Sequence, residues 1–408
     1  MPIKVLWISN FAPVSTSADA GSKTFQFYYR RFTEDSRFDV RLISCGFYKQ
    51  KEAIEQELAG QEHKIIYWND PHDSKVSKIK NIESKYSPVN RYCNLLSNTT
   101  VSKIEKTVNG YKRDGYEPEV VILEWTNMVL LAPKIRTVFP DAMIVASEHD
   151  VTFIGYERKS KYYKGLQGAG WKLRYSREKK KEIDALKCCD LILPHNASNV
   201  DALVEQGIEK GKLQWLVPYF QNMADCKRAL KGRDILFFGA MIRPENYLSA
   251  LWFIEKVMPL LKDLDVRFVI LGSRPPEDLG KYESDHVIIT GFVESIVPYF
   301  EHSMCFAAPL VLGAGIKVKI LEAMSSGIPV LTNEIGIEGI QAQSAQEYIH
   351  CEKAEEYADA IRRIFEDTSF GEEIGSEGQK FIKTEFSFQR SADDYMNRIV
   401  EMVNPSHK

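Results

Sequence analysis

The feature of this sequence that most restricts its fold is an alternation of short apolar runs with longer helical stretches. In the first half of the chain, the apolar runs have the length and composition of buried strands. They lie at residues 4–9, 40–44, 64–68, 120–124, 143–147 and 191–194. Strands that are joined by helices run parallel and are buried on both faces, so this pattern predicts a parallel sheet with helices on both sides.

The second half of the chain repeats the alternation. Another strand is predicted at residues 213–217, and a polar stretch at 221–233 reads as a linker. The strands predicted after it lie at residues 235–239, 267–272, 287–290, 304–310 and 329–332. The sequence therefore predicts an α/β protein with two doubly wound sheets. Sheets of this kind bind ligands at the carboxyl ends of their strands.

Composition excludes several classes of protein. A chain of 408 residues that is 44% hydrophobic and 27% charged is globular and has room for about two or three domains. Its net charge of -3 argues against general nucleic-acid binding. No apolar run reaches the roughly 18 residues of a membrane span, and the first residues read as a strand rather than a signal peptide. We therefore expect a cytoplasmic protein.

The most informative motif joins the predicted strand at 304–310 to a helix. Residues 313–322 read Gly-Ala-Gly-Ile-Lys-Val-Lys-Ile-Leu-Glu. Glycines let the backbone approach an anion, and the N-terminus of a helix favours negative charge. Lys317 and Lys319 fall in the first turn, where cations are normally unfavourable, so a bound pyrophosphate would explain them. Two solvated surface lysines are the alternative explanation.

Short motifs at strand ends extend this pattern along the second half. They are Phe238-Gly239, Leu271-Gly272-Ser273, Thr290-Gly291-Phe292-Val293, Ala308-Pro309-Leu310, the Gly-Ala-Gly turn and the segment at 321–330. In this order they resemble the donor half of retaining glycosyltransferases of family 4. The resemblance is strong over about a quarter of the chain and extends to the rest only in layout.

The resemblance implies the GT-B architecture, in which two Rossmann-like domains face a central cleft. We expect an acceptor-side domain at residues 1–218 and a nucleotide-sugar-binding domain at 219–376. A C-terminal helical segment at 377–408 is expected to cross back to the first domain. The implied reaction transfers a sugar from a UDP- or GDP-linked donor to an acceptor hydroxyl with retained anomeric configuration, in cell-surface polysaccharide or glycoconjugate assembly.

The resemblance also implies roles for residues around the glycine turn. Glu322 would bind the ribose, because a carboxylate can accept two hydrogen bonds from a vicinal diol. Lys317 and Lys319 would face the diphosphate and stabilise charge on the leaving group. The other implied donor-site residues are Gly21, Phe292, Val293, Gly313, Gly315, Ile316 and Val318, with Phe292 and Val293 flanking the base. No cofactor or metal is required by this arrangement, and the one Asp-x-Asp, at 263–265, precedes a strand.

The sequence departs from the family pattern in three places, one of which is Pro218, where the usual Asn-Gly that follows is replaced by Tyr219-Phe220. A second glutamate that would hold the sugar is replaced by Ala314, although a subset of relatives has a Gly-x-Gly form with basic residues. An arginine that is common after the strand-end glycine is replaced by Ala240, and we expect Arg243 to supply its charge. The resemblance therefore does not identify the donor sugar.

Candidates in the first half lie where predicted strands end. Gly21 falls in a loop of small residues at 15–22 and would face the donor phosphate and the acceptor. A flexible surface loop is the alternative. His149 and Asp150 follow a buried strand, and the resemblance implies that this histidine or the neighbouring acid contacts the transferred sugar. The alternative is a surface histidine with ordinary hydrogen bonds. Glu124, also at a strand end, is a candidate on the acceptor side.

Residues 158–181 carry ten basic residues and one acidic residue, interleaved with aromatic residues. Such a surface suits anionic headgroups, so we expect peripheral contact with the inner face of the cell membrane, near a saccharide or lipid-linked acceptor. A solvated helix face is the alternative.

Two other functions remain open on the sequence. A non-catalytic GT-B subunit could use the same cleft for binding or assembly alone. A dinucleotide-dependent dehydrogenase would need Gly-x-Gly-x-x-Gly, whose third glycine is replaced by Val318.

Overall fold

The computed structural model describes residues 1–15, 20–69, 92, 95–229, 232–313 and 315–404. The chain divides into two compact units. The first consists of Met1–Tyr219 together with Phe388–Lys408, and the second of Phe220–Ser387.

The first unit contains a six-stranded parallel sheet of order β3-β2-β1-β4-β5-β6. Its strands are β1 (Ile3–Ile8), β2 (Phe38–Phe47), β3 (Glu62–Trp68), β4 (Val120–Glu124), β5 (Met143–Glu148) and β6 (Leu191–Pro194). The α-helices of this unit are Ala20–Glu34, Lys51–Glu57, Asn98–Arg113, Thr126–Val129, Ala132–Val138, Thr152–Tyr162, Gly165–Lys187, Ser198–Glu205 and Phe388–Val403.

Both faces of the first sheet are buried. In β1, Leu6 and Ile8 belong to one apolar cluster, whereas Val5 and Trp7 belong to another on the opposite face. Successive side chains of a strand point to opposite faces, so a strand that is covered on both sides must be apolar at nearly every position. Glu124, at the end of β4, is a buried exception.

The final helix, Phe388–Val403, belongs to the first unit. It buries Ala392, Tyr395, Met396 and Ile399, whose spacing forms one face of a helix, in the apolar cluster that contains Val5 and Trp7. The preceding helix, Thr368–Glu385, runs through position 377 without a break and belongs to the second unit. The structure therefore divides this region near Phe388, whereas the sequence analysis placed the division at 377.

The second unit contains another six-stranded parallel sheet, of order β12-β11-β10-β7-β8-β9. Its strands are β7 (Asp234–Phe238), β8 (Arg267–Leu271), β9 (Val287–Gly291), β10 (Ser303–Ala308), β11 (Val330–Thr332) and β12 (Ile349–His350). The α-helices are Pro244–Lys256, Glu277–Gly280, Val297–His302, Val318–Ser325, Glu334–Ile337, Ala354–Glu366 and Thr368–Glu385.

The predicted strands differ from those of the structure at two places. Residues 213–217 do not form a strand; Leu213 alone makes an isolated bridge, to Ile192. The two-residue strand β12 was not predicted, because two residues are too short to show a pattern. The predicted α/β class, with two parallel sheets flanked by helices, is confirmed.

The order of strands reverses once in each sheet. The reversal lies between β1 and β4 in the first sheet and between β7 and β10 in the second. At such a switch point the connections leave in opposite directions and open a crevice at the carboxyl ends of the strands. The two switch points are therefore the places to look for functional residues.

Candidate functional site

The turn after β10 has a backbone conformation that glycine adopts most readily. Gly313 has a φ of 145° and Gly315 a φ of 73°, both in the left-handed region. Lys317 is the N-cap of the helix Val318–Ser325 that follows. Ala314 lies outside the described residues. A glycine turn therefore leads directly into a helix N-terminus, which is an arrangement suited to an anion.

Lys319 joins the two helices that follow the strands at this switch point. Its Nζ donates a hydrogen bond to Oδ1 of Asn246 at 2.5 Å and lies 4.8 Å from the ring centroid of Phe237. Asn246 belongs to the helix that follows β7, whereas Lys319 belongs to the helix that follows β10. A Cβ atom on Gly239 would lie 2.7 Å from the lysine Nζ, so the close approach requires glycine there.

Three cations converge on this position. Burial, together with the charges of Arg243 and Lys317, lowers the pKa of Lys319 to about 7. Glu322 and Glu245 act in the opposite direction. The charged form of Lys319 is therefore destabilised in the absence of an anion, and a nearby anion would restore it.

Lys317 has different contacts from Lys319. Its Nζ donates to the carbonyl oxygen of Gly315 and lies 3.5 Å from Oε2 of Glu338. Both side chains are largely buried, with exposed fractions of 10% and 13%. Lys317 therefore folds back on the glycine turn and braces it.

The other predicted donor-site residues lie at the same edge of this sheet. Oε1 of Glu322 accepts a hydrogen bond from the backbone N–H of Gln221 at 3.2 Å. Arg243 immediately precedes the helix after β7 and is exposed, as is Phe292 directly after β9. Val293, Ile316 and Val318 are half-buried. The two carboxylates of the Asp-x-Asp sequence form ion pairs with arginines, Asp263 with Arg362 and Asp265 with Arg233.

In the first unit, the switch point is occupied by a buried carboxyl group. Oε2 of Glu124 accepts a hydrogen bond from Nε1 of Trp7 at 2.9 Å. Oε1 accepts one from Oγ of Ser147 at 2.8 Å and lies 2.5 Å from Nε2 of His149. Burial raises the pKa of Glu124 to about 7, although His195 and these hydrogen bonds oppose the shift.

His149 is held in a cluster of rings directly after β5. The imidazole stacks on Trp125, with ring centroids 4.6 Å apart and an angle of 14° between the planes. It also lies 4.1 Å, centroid to centroid, from His195, which follows β6. Burial and the charge of His149 hold the pKa of His195 well below its usual range. His195 is therefore a neutral imidazole.

A metal ion could be considered at this cluster. Glu124, His149 and His195 offer ligand atoms that all lie within 4.8 Å of one another. In the structure, however, these side chains already bond to one another or to Ser147, whose Oγ lies 3.1 Å from Nε2 of His195. These three side chains are therefore chemically suitable as metal ligands, but their hydrogen bonds hold the cluster together without a metal.

A second pair of buried carboxyl groups supports the loop after β5. Oγ1 of Thr126 donates to Oε2 of Glu148 at 2.5 Å, and the backbone N–H groups of Thr152 and Phe153 donate to Glu182. Burial raises the pKa of Glu148 to about 8 and that of Glu182 well above its usual value. The charge of Glu148 adds to the shift of Glu182, and the charge of Asp150 adds to that of Glu148. Glu182 thereby anchors the start of the helix at Thr152–Tyr162.

The two remaining first-unit candidates lie elsewhere. Gly21 is in the first turn of the helix Ala20–Glu34 rather than in a loop, because the helix begins at Ala20; residues 16–19 lie outside the described residues. Asp150 is exposed, and its carbonyl oxygen lies 3.0 Å from Oγ1 of Thr126. The structure thus separates the Asp150 carboxylate from the buried cluster around His149.

The basic segment at 158–181 spans two helices, Thr152–Tyr162 and Gly165–Lys187. Tyr162, Leu166 and Leu173 are exposed by 42%, 94% and 62%. Within the described part of the chain, no helix is both long enough and apolar enough to cross a bilayer.

Sequence reasoning missed several residues of these sites. His195 follows β6 just as His149 follows β5, so a polar residue directly after an apolar run was the available signal. Asn246 gave no comparable signal, because its bond to Lys319 joins positions 73 residues apart and depends on the pairing of β7 with β10. Trp125 and Glu338 likewise acquire their contacts only in the folded chain.

Part of the second unit matches a protein-family model. Residues 232–367, which include the glycine turn and β7 to β12, match the model of glycosyl transferases group 1. A protein of the cps region of Klebsiella pneumoniae is 24% identical over 190 residues. That match covers 43% of this chain and 49% of the relative, so the two share about half of their lengths.

Solved structures extend the similarity to the whole chain. Sucrose-phosphate synthase from Thermosynechococcus elongatus has a TM-score of 0.69 at 14% identity, covering 99% of this chain and all of that one. HepE from Anabaena, solved with UDP, has a TM-score of 0.67 at 12% identity and covers 98% of this chain and all of that one. At such identities the likeness is one of fold. The chain has the GT-B fold of glycosyltransferases, as the sequence predicts.

Proposed function

We propose that this protein is a retaining glycosyltransferase that moves a sugar from a nucleotide diphosphate sugar to an acceptor hydroxyl. The observation that carries the proposal is the convergence of Lys319, Lys317 and Arg243 on a glycine turn at a helix N-terminus. The charges of Arg243 and Lys317 lower the pKa of Lys319, and cations that lie this close together in a partly buried site are costly unless an anion binds there. A pyrophosphate has the charge and the size for this position.

The donor-site residues of the second unit then have separate roles in the reaction. The bond between the anomeric carbon and the leaving phosphate oxygen breaks while a bond to the acceptor oxygen forms. The proton of the acceptor hydroxyl passes to the leaving phosphate. Lys319 and the helix N-terminus stabilise the charge that develops on the diphosphate, and no metal is needed for that. Glu322 binds the ribose, and Phe292 and Val293 flank the base.

In the first unit, we assign His149 to the transferred sugar. Its imidazole lies at the end of β5, where the resemblance places such a histidine. Asp150 and Gly21 are secondary candidates, since one is exposed and the other lies in a helix. UDP is the first nucleotide to test, because HepE was solved with UDP and with UDP-glucose. The relative from a cps region favours a role in polysaccharide assembly.

A binding and turnover experiment tests this proposal. Calorimetry with UDP and GDP should show one site per chain for one of them, and the corresponding nucleotide sugar should be slowly hydrolysed by the purified protein. Binding without hydrolysis or transfer, across a panel of sugars and acceptors, would favour the non-catalytic GT-B subunit instead. Absence of binding to both nucleotides would reject the donor site.

We also infer that the segment 158–181 contacts an anionic bilayer. Leu166, Ala169 and Leu173 recur at helical spacing and form an exposed apolar stripe. Lys164 and Lys172 are exposed beside it. An apolar stripe with flanking cations is the pattern of a helix that lies in the membrane interface.

Vesicle sedimentation tests this surface. Wild-type protein should sediment with vesicles that contain phosphatidylserine or phosphatidylglycerol and not with phosphatidylcholine alone, and salt should weaken the binding. The double variant Leu166→Ser, Leu173→Ser should bind less while keeping its affinity for UDP. If the protein bound anionic vesicles no better than neutral ones, the membrane contact would be rejected and the segment would be a solvated surface.

A further inference from the structure

We propose that Glu124 is a positioning residue that fixes the orientation of the His149 imidazole through the contact between Oε1 and Nε2. The inference rests on the proposed function, in which His149 contacts the transferred sugar. The hydrogen bonds around Glu124 bring together four parts of the chain: β1, β4, β5 and the loop after β5.

The donors and acceptors of the cluster can be ordered from their chemistry. The indole of Trp7 can only donate, so Oε2 of Glu124 is an acceptor. Ser147 has one hydroxyl hydrogen, and it donates that hydrogen to Oε1 of Glu124. Its Oγ must therefore accept from Nε2 of His195. An ionised Glu124 has no hydrogen of its own, so Nε2 of His149 must donate to it across 2.5 Å. This order places a hydrogen on Nε2 of both histidines.

Contacts with the face of the His149 ring also restrict how the ring can tilt. Trp125 stacks on it almost in parallel, and the indole is itself held edge-on by Phe11 and Phe25. The backbone of Trp125 has a φ of 69°, which is unusual for a bulky residue. Strain of this kind persists where surrounding contacts hold it, and here the backbone N–H of Trp125 donates to Ser147 O at 3.0 Å. The hydrogen bond and the stacked indole together leave the ring one orientation.

Glu148 provides a matched control for Glu124. Both carboxyl groups are buried at the ends of neighbouring strands, and burial raises the pKa of both. Glu148 accepts its hydrogen bond from Thr126, whereas Glu124 bonds to His149. A substitution that acts only through loss of a buried carboxyl group should affect the two positions alike.

The first measurement needs no substitution. Long-range nitrogen–proton NMR of protein labelled in its histidines, at about pH 8.5, where Glu124 is ionised, should show His149 and His195 with the hydrogen on Nε2. The variants His149→Gln and His195→Gln assign the signals. A His149 signal with the hydrogen on Nδ1 would overturn the proposal, whatever the variants do.

The second measurement separates positioning from stability. Glu124→Gln should lower kcat about 10- to 100-fold and change the tautomer populations of His149, while the affinity for UDP stays unchanged. Glu148→Gln should change neither. Because Glu124 acts through His149, the double variant Glu124→Gln, His149→Gln should be no slower than His149→Gln alone. Additive losses in kcat would contradict the proposal.

Three further outcomes would each have a different meaning. A stoichiometric transition metal in the purified protein, lost in Glu124→Gln, would overturn the proposal because the histidines would then be ligands. No transfer by the wild-type protein with any donor would reject the proposed function but leave the NMR result intact. Wild-type transfer with an unchanged rate in Glu124→Gln would reject the positioning role alone.

Discussion

The two sheets have the same strand order about their switch points, but the groups that meet there have opposite charge. In the first unit, the carboxyl group of Glu124 bonds to Trp7 across the reversal. In the second, the ammonium group of Lys319 bonds to Asn246 across the equivalent reversal. Burial raises the pKa of the acid and lowers that of the base, and both arrive at about 7. Desolvation penalises charge of either sign, so the same topology buries an acid in one unit and a base in the other, and each pKa shifts towards neutrality.

The largest expected effect comes from removing the cation of the second unit. Lys319→Ala should slow transfer about 100- to 1,000-fold and weaken UDP binding much less, because charge on the leaving diphosphate develops mainly in the transition state. Lys317→Ala is the matched comparison and should cost less, since Lys317 braces the turn and contacts Glu338. Single-turnover transfer assays give both rates. Equal losses in the two variants would show that the bond to Asn246 confers no special role on Lys319.

A smaller loss is expected at the ribose. Glu322→Gln should weaken UDP binding about 10- to 100-fold, because a charge-assisted hydrogen bond contributes about 1.5 to 3 kcal/mol. Glu373→Gln, on an exposed face of the same unit, should leave the affinity unchanged. Calorimetry measures both. A wild-type affinity in Glu322→Gln would remove the ribose role from this helix.

UDP binding should also depend on pH with a definite sign. The free protein loses the proton of Lys319 near pH 7, and a bound diphosphate raises that pKa. Binding above pH 7 therefore takes up a proton, and the affinity should fall by up to about tenfold per pH unit. Calorimetry in buffers of different ionisation enthalpy counts the protons. Lys319→Arg keeps the charge and should abolish the uptake; uptake that persists in this variant would assign the titration to another group.

The last prediction concerns stability, where the two units should respond to pH in opposite directions. Glu148 has a pKa of about 8 in the folded chain and an ordinary one when unfolded, so its favourable contribution is complete at low pH and is lost as the pH rises toward 8. Glu148→Gln should remove a slope of about 1.4 kcal/mol per pH unit. Lys319→Met should remove a slope of opposite sign between about pH 7 and 10. Urea unfolding at several pH values measures both, and parallel pH profiles for the variants and the wild type would contradict the assigned shifts.

Most of the fold could be predicted from local patterns. Apolar runs predicted the positions of β1 to β11, because a strand that is covered on both faces is apolar at nearly every position. The prediction at 213–217 was wrong because an apolar run can pack without joining a sheet, as Leu216 and Val217 do. Gly21 was placed in a loop because small residues read as loop even where a helix begins. The glycine turn at Gly313 was identified because a special backbone leaves a sequence signal.

The sequence by itself determined which residues could form strands, where the backbone needed glycine, and which polar side chains stood at strand ends. The tertiary structure decided which of those side chains meet. Lys319 and Asn246 are 73 residues apart, and Glu124 and Trp7 are 117 apart. Their hydrogen bonds and shifted pKa values exist only because strand pairing brings them together and burial removes water from around them. Sequence patterns report local spacing, whereas desolvation and long-range contact are properties of the folded chain.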